Sequence, residues 1–162
     1  MSKILSQPAL KRRLAGLRRS GKRIVFTNGC FDLIHPGHIR YLHAAKRLGD
    51  VLVVALNSDD SVRRLKGSGR PLVPERARCE VVAALEMVDY VTTFSDDTPY
   101  ALIKDLQPDV LVKGGDWQPD EIVGADVVRA RGGTVRSLPY ARGYSTTALL
   151  RRVECRESKV KR

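Results

Sequence analysis

The stretch "VFTNGCFDLIHPGHIRYLHAAKRLGD", Val25–Asp50, is the most informative segment of this sequence. It starts as an apolar run typical of a buried strand, passes through a loop that holds His35 and His38, and continues with helical periodicity. Pro36 favours the first turn of a helix, so we expect both imidazoles at a helix N-terminus. That end has unpaired N–H groups and a partial positive charge, and Gly37 allows a ligand to approach the backbone closely. The stretch therefore predicts a phosphate site.

Short apolar runs and helix-like segments alternate along the rest of the chain. The predicted strands are 23–27, 51–57, 89–94, 109–114 and 134–139, and the predicted helices are 7–20, 37–48, 75–88, 98–106 and 119–131. Three of the runs are continuously apolar, as expected of parallel strands covered on both faces. The pattern predicts an α/β fold, a single doubly wound, Rossmann-like domain with a five-stranded parallel sheet. Ligands of such domains bind beyond the carboxyl ends of the strands.

A chain of 162 residues is expected to build one hydrophobic core. The predicted organisation is a basic N-terminal helix within 1–22 that packs on the outside of the sheet, a main domain over 23–153, and a basic tail over 154–162. The predicted apolar helix faces are Leu10, Leu14 and Leu17 in the first helix and Val81, Leu85 and Val88 in the helix 75–88.

The net charge of +11 lies mainly at the two ends of the chain. Residues 1–31 contain eight Lys or Arg and no acidic residue, and residues 151–162 contain six against two acidic residues. Such ends are more typical of solvated surfaces than of a nucleic-acid groove, and the aromatic residues are not clustered for base stacking. Nucleic-acid binding is therefore the weaker alternative. It predicts loss of function on deletion of 154–162 and a steep dependence on salt.

The sequence favours a cytoplasmic protein with no membrane partner. No apolar window approaches the roughly 18–20 residues of a membrane span, and the basic N-terminus lacks the apolar core of a secretory signal. The three cysteines, Cys30, Cys79 and Cys155, are odd in number and far apart, which favours reduced thiols.

A metal site and a glycine-rich nucleotide loop are the alternatives to a phosphate site at the histidine pair. Zinc would need further ligands, and the nearest candidates, Cys30 and Asp32, match no known ligand spacing, so no metal site is predicted. The glycine-rich nucleotide loops GxxxxGK[ST] and GxGxxG are absent after the first strand. A nucleotide would therefore bind through His35 and His38.

Four segments together carry a resemblance to a known family. They are "TNGCFDLIHPGH" (27–38), "RLKGSGRPLVPERAR" (64–78), "KGGDW" (113–117) and "YSTT" (144–147). In this order they resemble the motifs of the cytidylyltransferase-like nucleotidyltransferases, including the HxGH motif, and the resemblance covers about 22–153. It implies that 23–153 is a nucleotidyltransferase domain.

The resemblance also implies roles for individual residues. The catalytic residues would be His35, His38 and Lys66. The nucleotide would contact Cys30, Phe31, His35, His38, Arg70, Ser145, Thr146 and Thr147, and the second substrate would contact Lys66, Lys113 and Asp116. Asp32 is expected to fix its loop or to act in the site. Arg78 matches an arginine of the family's helix, or is structural through pairing with an acid. Magnesium is expected with the triphosphate, held mostly by phosphate oxygens and water.

The choice of substrates depends on finer matches. Stretches 57–74 and 97–125 resemble family members that transfer an adenylyl group to a sugar 1-phosphate. Cytidylyltransferases for alcohol phosphates carry "RTEGISTT", whereas this chain has "YARGYSTT", with Tyr140 and Arg142 at their arginine and glutamate. The partners implied are ATP and a sugar 1-phosphate, with a cytidylyltransferase acting on glycerol 3-phosphate as the alternative. Family members are often dimers, so a homodimer is expected.

Overall fold

A computed structural model describes residues 2–115 and 117–139, together with Thr146. The strands are β1 (Ile24–Gly29), β2 (Val51–Asn57), β3 (Tyr90–Phe94), β4 (Val110–Gly114) and β5 (Thr134–Leu138). The helices are α1 (Gln7–Arg19), α2 (Pro36–Lys46), α3 (Asp59–Lys66), α4 (Glu75–Ala83), α5 (Tyr100–Leu106) and α6 (Ala125–Ala130), with a 3-10 turn at Pro119–Glu121.

All five strands are parallel and form one sheet in the order β3-β2-β1-β4-β5. The chain builds outward from β1 to β2 and β3, then returns to place β4 on the other side of β1. The order therefore reverses between β1 and β4, which is where doubly wound sheets bind ligands. The predicted α/β fold with a five-stranded parallel sheet is confirmed.

The sheet separates two apolar clusters because neighbouring side chains on a strand point to opposite faces. Ile24 and Phe26 face a cluster that includes residues of α1, α5 and α6, whereas Val25 faces a cluster that includes α2 and α4. The hydroxyl of Tyr41 on α2 lies 2.6 Å from the Thr27 hydroxyl and donates to the Val112 carbonyl at 3.3 Å. This side chain fixes α2 over the β1/β4 junction.

The predicted N-terminal helix is present as α1, with Leu10 and Leu14 buried. The residues before it extend the sheet. Val91 of β3 donates to the Lys3 carbonyl, and Leu5 donates back to the Val91 carbonyl, each at 2.9 Å. The boundaries at 22 and 153 stay predictions, and the tail 154–162 lies outside the described residues.

Two helix predictions need correction, and one helix is additional. Helix α3 was not predicted. The predicted helix 75–88 ends at Ala83, and its buried face is Arg78, Cys79 and Val82, while Val81 is exposed. The predicted helix 119–131 is a 3-10 turn followed by α6, because Gly124 between them takes a φ of +88° and packs against Ile103. Among the described residues, no helix is long and apolar enough to cross a bilayer.

Candidate active site

The loop after β1 ends in a helix N-terminus that carries both histidines. Helix α2 begins at Pro36, and His35 is its N-cap residue, whose ring Nδ1 accepts a weak hydrogen bond from the His38 N–H at 3.4 Å. The two imidazole rings stack, with centroids 3.9 Å apart and planes 23° apart. The predicted arrangement, with both imidazoles at the helix end, is confirmed.

The pKa values of both imidazoles are lowered in this structure, which favours the neutral form. Burial, together with the field of His35, lowers the pKa of His38 to about 4, and burial also lowers the pKa of His35. A second positive charge beside the first, at the positive end of a helix, would be unfavourable. The Nδ1 atom of His38 is buried and has no hydrogen-bond partner within the described part of the chain. The ring therefore has hydrogen-bonding capacity that the described residues leave unused.

Phe31 covers the turn between β1 and the histidines. Its backbone takes a φ of +46°, a conformation that costs a non-glycine residue energy. Its ring centroid lies 5.3 Å from that of His38, and the ring leaves only 3.0 Å to a Cβ built at Gly29. The absence of a side chain at Gly29 lets Phe31 pack there and support His38.

Cationic side chains surround the carboxyl end of β1. Burial raises the pKa of the half-buried Cys30 thiol, while the fields of Lys66, Arg78, Lys113 and Arg70 act to lower it. Burial also lowers the pKa of Lys113, and the field of Lys66 adds to this effect. Lys66, Arg70 and Lys113 come from three separate elements or loops, and their fields meet at one thiol. The edge is thus arranged for an anionic ligand.

Asp32 connects this edge to the loop between α3 and α4. Its carboxylate accepts hydrogen bonds from the Leu72 and Val73 N–H groups, each at 2.9 Å, and pairs with Arg70 Nε at 2.6 Å. Burial alone would raise the pKa of Asp32, but these three donors lower it below its ordinary value. Asp32 thus holds the loop between α3 and α4, and the Nε of Arg70 is committed to Asp32. A part for Asp32 in the site stays a prediction.

Arg78 is the residue whose importance the sequence did not reveal. It is 1% exposed and makes four hydrogen bonds. Its guanidinium donates to the carbonyls of Val73 (2.9 Å), Cys30 (2.6 Å) and Asn57 (2.9 Å), and to the carboxylate of Asp59 (2.8 Å). The expected pairing with an acid is present. It joins the ends of two strands, the start of α3 and the loop before α4.

Asp116, Ser145 and Thr147 lie outside the described residues, as do Tyr140 and Arg142. Thr146 is described as a helical, half-buried residue.

The described residues do not provide a cage for a metal ion. None of them form a group of three or more His, Cys, Asp or Glu that could hold one. Both Asp32 oxygens already accept hydrogen bonds, so this carboxylate has little capacity left for a cation. A divalent cation here would have to be held mainly by oxygens of a ligand and by water.

A parallel sheet with its switch point between β1 and β4, a histidine-bearing helix end and a group of cationic side chains near Cys30 define an α/β domain whose site is suited to an anionic ligand. The chain belongs to the cytidylyltransferase-like family, whose pattern matches residues 26–152.

Individual relatives agree with this assignment. The chain is 52% identical to the bifunctional protein HldE of Syntrophotalea carbinolica over 94% of its length and 31% of that protein. It is 56% identical to the bifunctional protein HldE of Nitrobacter hamburgensis over 88% of its length and 29% of that protein. The chain thus spans about a third of the length of these curated relatives. A crystal structure of the lipopolysaccharide core biosynthesis protein from Thermoplasma volcanium superposes with a TM-score of 0.60, at 29% identity, covering 77% of this chain and all of that one.

Proposed function

We propose that this protein is a sugar-phosphate adenylyltransferase that transfers AMP from ATP to D-glycero-β-D-manno-heptose 1-phosphate. In the proposed step, an oxygen of the sugar phosphate attacks the α-phosphorus of ATP. The bond from the α-phosphorus to its bridging oxygen breaks, and pyrophosphate leaves with that electron pair. The products are ADP-D-glycero-β-D-manno-heptose and pyrophosphate, and no covalent intermediate with the protein is formed.

The observation that carries the proposal is the His35–His38 pair at a helix end on the switch point of the sheet. Transfer of a nucleotidyl group needs positioning and charge neutralisation more than it needs a protein nucleophile. Two neutral imidazoles can donate hydrogen bonds to phosphate oxygens without adding the repulsion of two like charges. Neither Cys30 nor Cys79 is activated as a thiolate, since burial raises the pKa of both thiols.

Each predicted site residue then has a proposed part. His38 stabilises charge at the α-phosphate and His35 contacts the triphosphate, with the backbone at Cys30 and Phe31 against the nucleotide. Lys66 bridges the phosphates of the two substrates, Arg70 faces the nucleotide, and Lys113 and Asp116 contact the sugar phosphate. Ser145, Thr146 and Thr147 donate to phosphate from a second helix end. Magnesium enters with ATP as the counter-ion of the triphosphate.

The relatives support the choice of substrate class. The HldE proteins are described as bifunctional, and this chain corresponds to about a third of their length, which fits one of two activities. The Thermoplasma volcanium relative is described as a lipopolysaccharide core biosynthesis protein, which agrees with a sugar-phosphate substrate. The stretches 57–74 and 97–125 resemble heptose 1-phosphate adenylyltransferases. A cytoplasmic location, where ATP is available, belongs to the same proposal.

The alternative, a cytidylyltransferase for glycerol 3-phosphate, is favoured by the description of the family itself. Pyrophosphate release separates the two. The purified protein is assayed with ATP or CTP, each combined with heptose 1-phosphate or glycerol 3-phosphate. We expect release with ATP and heptose 1-phosphate and little with the other three pairs. Faster release with CTP and glycerol 3-phosphate would replace the proposal by the alternative.

A further inference from the structure

The loop between α3 and α4, residues 67–73, is called the clamp loop here. Its first half has little packing of its own. Residues 67–69 are exposed, Gly67 takes a φ of +95°, and a Cβ built at Gly67 or Gly69 would meet no atom within 4 Å. An unanchored segment of this composition would sample many conformations, at a cost of about 1–2 kcal/mol per residue to fix.

Two buried charged side chains hold the second half of the clamp loop. The Asp32 side chain is 1% exposed and receives the Leu72 N–H, the Val73 N–H and Arg70 Nε. Arg78 Nε donates to the Val73 carbonyl at 2.9 Å. Val73 is thus held through both its N–H and its C=O group, by side chains from two different parts of the chain.

The same two side chains are fixed to the histidine end of the site. Asp32 lies in the loop between β1 and α2, three residues before His35. Arg78 holds the Cys30 carbonyl at 2.6 Å and, through the carbonyl of Asn57 and the carboxylate of Asp59, the start of α3. Helix α3 ends at Lys66, directly before the clamp loop. Arg78 therefore holds the helix that precedes this loop as well as Val73 at the end of the loop.

We propose that Asp32 and Arg78 are positioning residues, which hold Arg70 and Lys66 at a set distance from the His35–His38 helix end without touching substrate. The inference rests on the proposed function, because it takes the space between the clamp loop and the histidines to be the triphosphate site. A preorganised cation adds most to catalysis when it does not have to be ordered on binding.

The part of the proposal in which Asp32 holds the backbone of the clamp loop is tested without any substrate. In Asp32→Asn the shape is kept, but the amide NH2 must face one of the two backbone donors. We expect hydrogen exchange at the Leu72 and Val73 amides to accelerate about tenfold or more, as for loss of a hydrogen bond to a charged group. Asp60→Asn is the matched control, since Asp60 is an exposed acid that pairs with Arg63 on α3. Unchanged exchange at these amides in Asp32→Asn would show that Asp32 does not hold the clamp loop.

The catalytic half is tested by separating KM from kcat. We expect Asp32→Asn to raise the KM for ATP by about tenfold and to change kcat by less than about threefold, since the chemistry at the histidines is left in place. In the background Arg70→Met, Asp32→Asn should have a much smaller effect, because both changes disturb one unit. Effects that multiply fully would mean that Asp32 acts by another route.

Arg78 is tested by a conservative change, because Arg78→Met removes a fully buried hydrogen-bonding centre and is expected to unfold the protein. Arg78→Lys keeps a charge that can reach only some of the four acceptors. We expect a folded variant, by circular dichroism, with a higher KM for ATP and faster exchange at Val73. A folded Arg78→Lys with normal exchange and normal KM would remove Arg78 from the proposal, and if this variant does not fold, the Asp32 results decide. If exchange accelerates in Asp32→Asn but the wild-type protein turns over no nucleotide, the proposed function is refuted. The finding that Asp32 holds the clamp loop would still stand.

Discussion

His38 is the residue on which the proposed chemistry depends most directly. We expect His38→Ala to lower kcat on the order of 10²-fold with the fold preserved, by analogy with loss of one preorganised donor to a developing oxyanion. The matched control is His43→Ala, since His43 is exposed in the last turn of the same helix. Steady-state pyrophosphate release measures both variants. A His38→Ala enzyme within threefold of wild type would contradict the assigned role.

The protonation of His38 gives a second prediction at this scale. The folded pKa of about 4 lies below the ordinary value of 6.5, so the unfolded chain takes up a proton first as the pH falls. The contribution of His38 to the free energy of unfolding is therefore fully present above about pH 6.5 and decreases as the pH falls toward 4. Between pH 7 and pH 5 we expect His38 to account for a loss of about 1 kcal/mol in the free energy of unfolding, after allowance for solvent screening. Urea titrations of wild type and His38→Gln at both pH values measure this difference.

The same titration can be followed in the folded protein by NMR. We expect the His38 ring to titrate near pH 4 in the free protein and at higher pH with ATP bound, because a phosphate oxygen stabilises the charged form. A free-protein pKa close to 6.5 would contradict the burial and stacking described above.

Individual residues differ in how far the sequence could place them. His35 and His38 were predictable because Pro36 fixes the start of a helix and so the position of its neighbours. The role of Arg78 as a hub was not, because its four acceptors lie up to 48 positions away and come from different elements. An arginine in a helical segment is ordinarily exposed, and only the assembled fold shows why this one is buried.

Strands and helices also differ in how far the sequence could predict them. Strands β1, β2 and β4 were predictable because strands covered on both faces leave continuous apolar runs. Strands β3 and β5 leave mixed runs and were predictable from their place between helix-like segments. Helix α3 was missed because it has eight residues and buries only Ser61 and Val62, so it shows almost no apolar periodicity. Its signals were at its ends, with Ser58 as the N-cap residue, acidic residues in the first turn and Gly67 after the last.

The cap of α3 provides a prediction for this element. The Ser58 hydroxyl accepts a hydrogen bond from the Ser61 N–H at 3.2 Å, and the residue is buried. We expect Ser58→Ala to reduce the free energy of unfolding by about 1 kcal/mol, as is usual for loss of an N-cap. Ser20→Ala, at the exposed C-terminal end of α1, is the control and should change stability little. Equal stability of the two variants in urea would show that the cap does not stabilise α3.

At the scale of the whole molecule, the order of the strands explains why the site lies where it does. Because β4 returns to the other side of β1, the loops that follow these two strands diverge to opposite faces and leave a crevice between them. Cys30 and Lys113 approach this crevice from its two sides, and their mutual influence on pKa reflects it. The alternating pattern of the sequence indicated a doubly wound sheet, but the side chains that meet across the crevice are about 80 residues apart along the chain.

The outer edge of the sheet gives the last prediction. β3 is an edge strand, and residues 3–5 cover it through the two backbone hydrogen bonds with Val91, while the side chains of Lys3 and Gln7 donate to the carbonyls of Leu85 and Thr93. Deleting residues 2–5 would leave the backbone groups of Val91 without these partners, and exposed strand edges favour pairing between chains. We expect the deletion to lower Tm by several degrees and to cause self-association that increases with protein concentration, measured by light scattering. Ile4→Ser is the control, because it keeps the backbone pairing and changes only a side chain that is 38% exposed. A deletion variant with the same association state and the same Tm as the wild type would mean that this segment does not protect the edge.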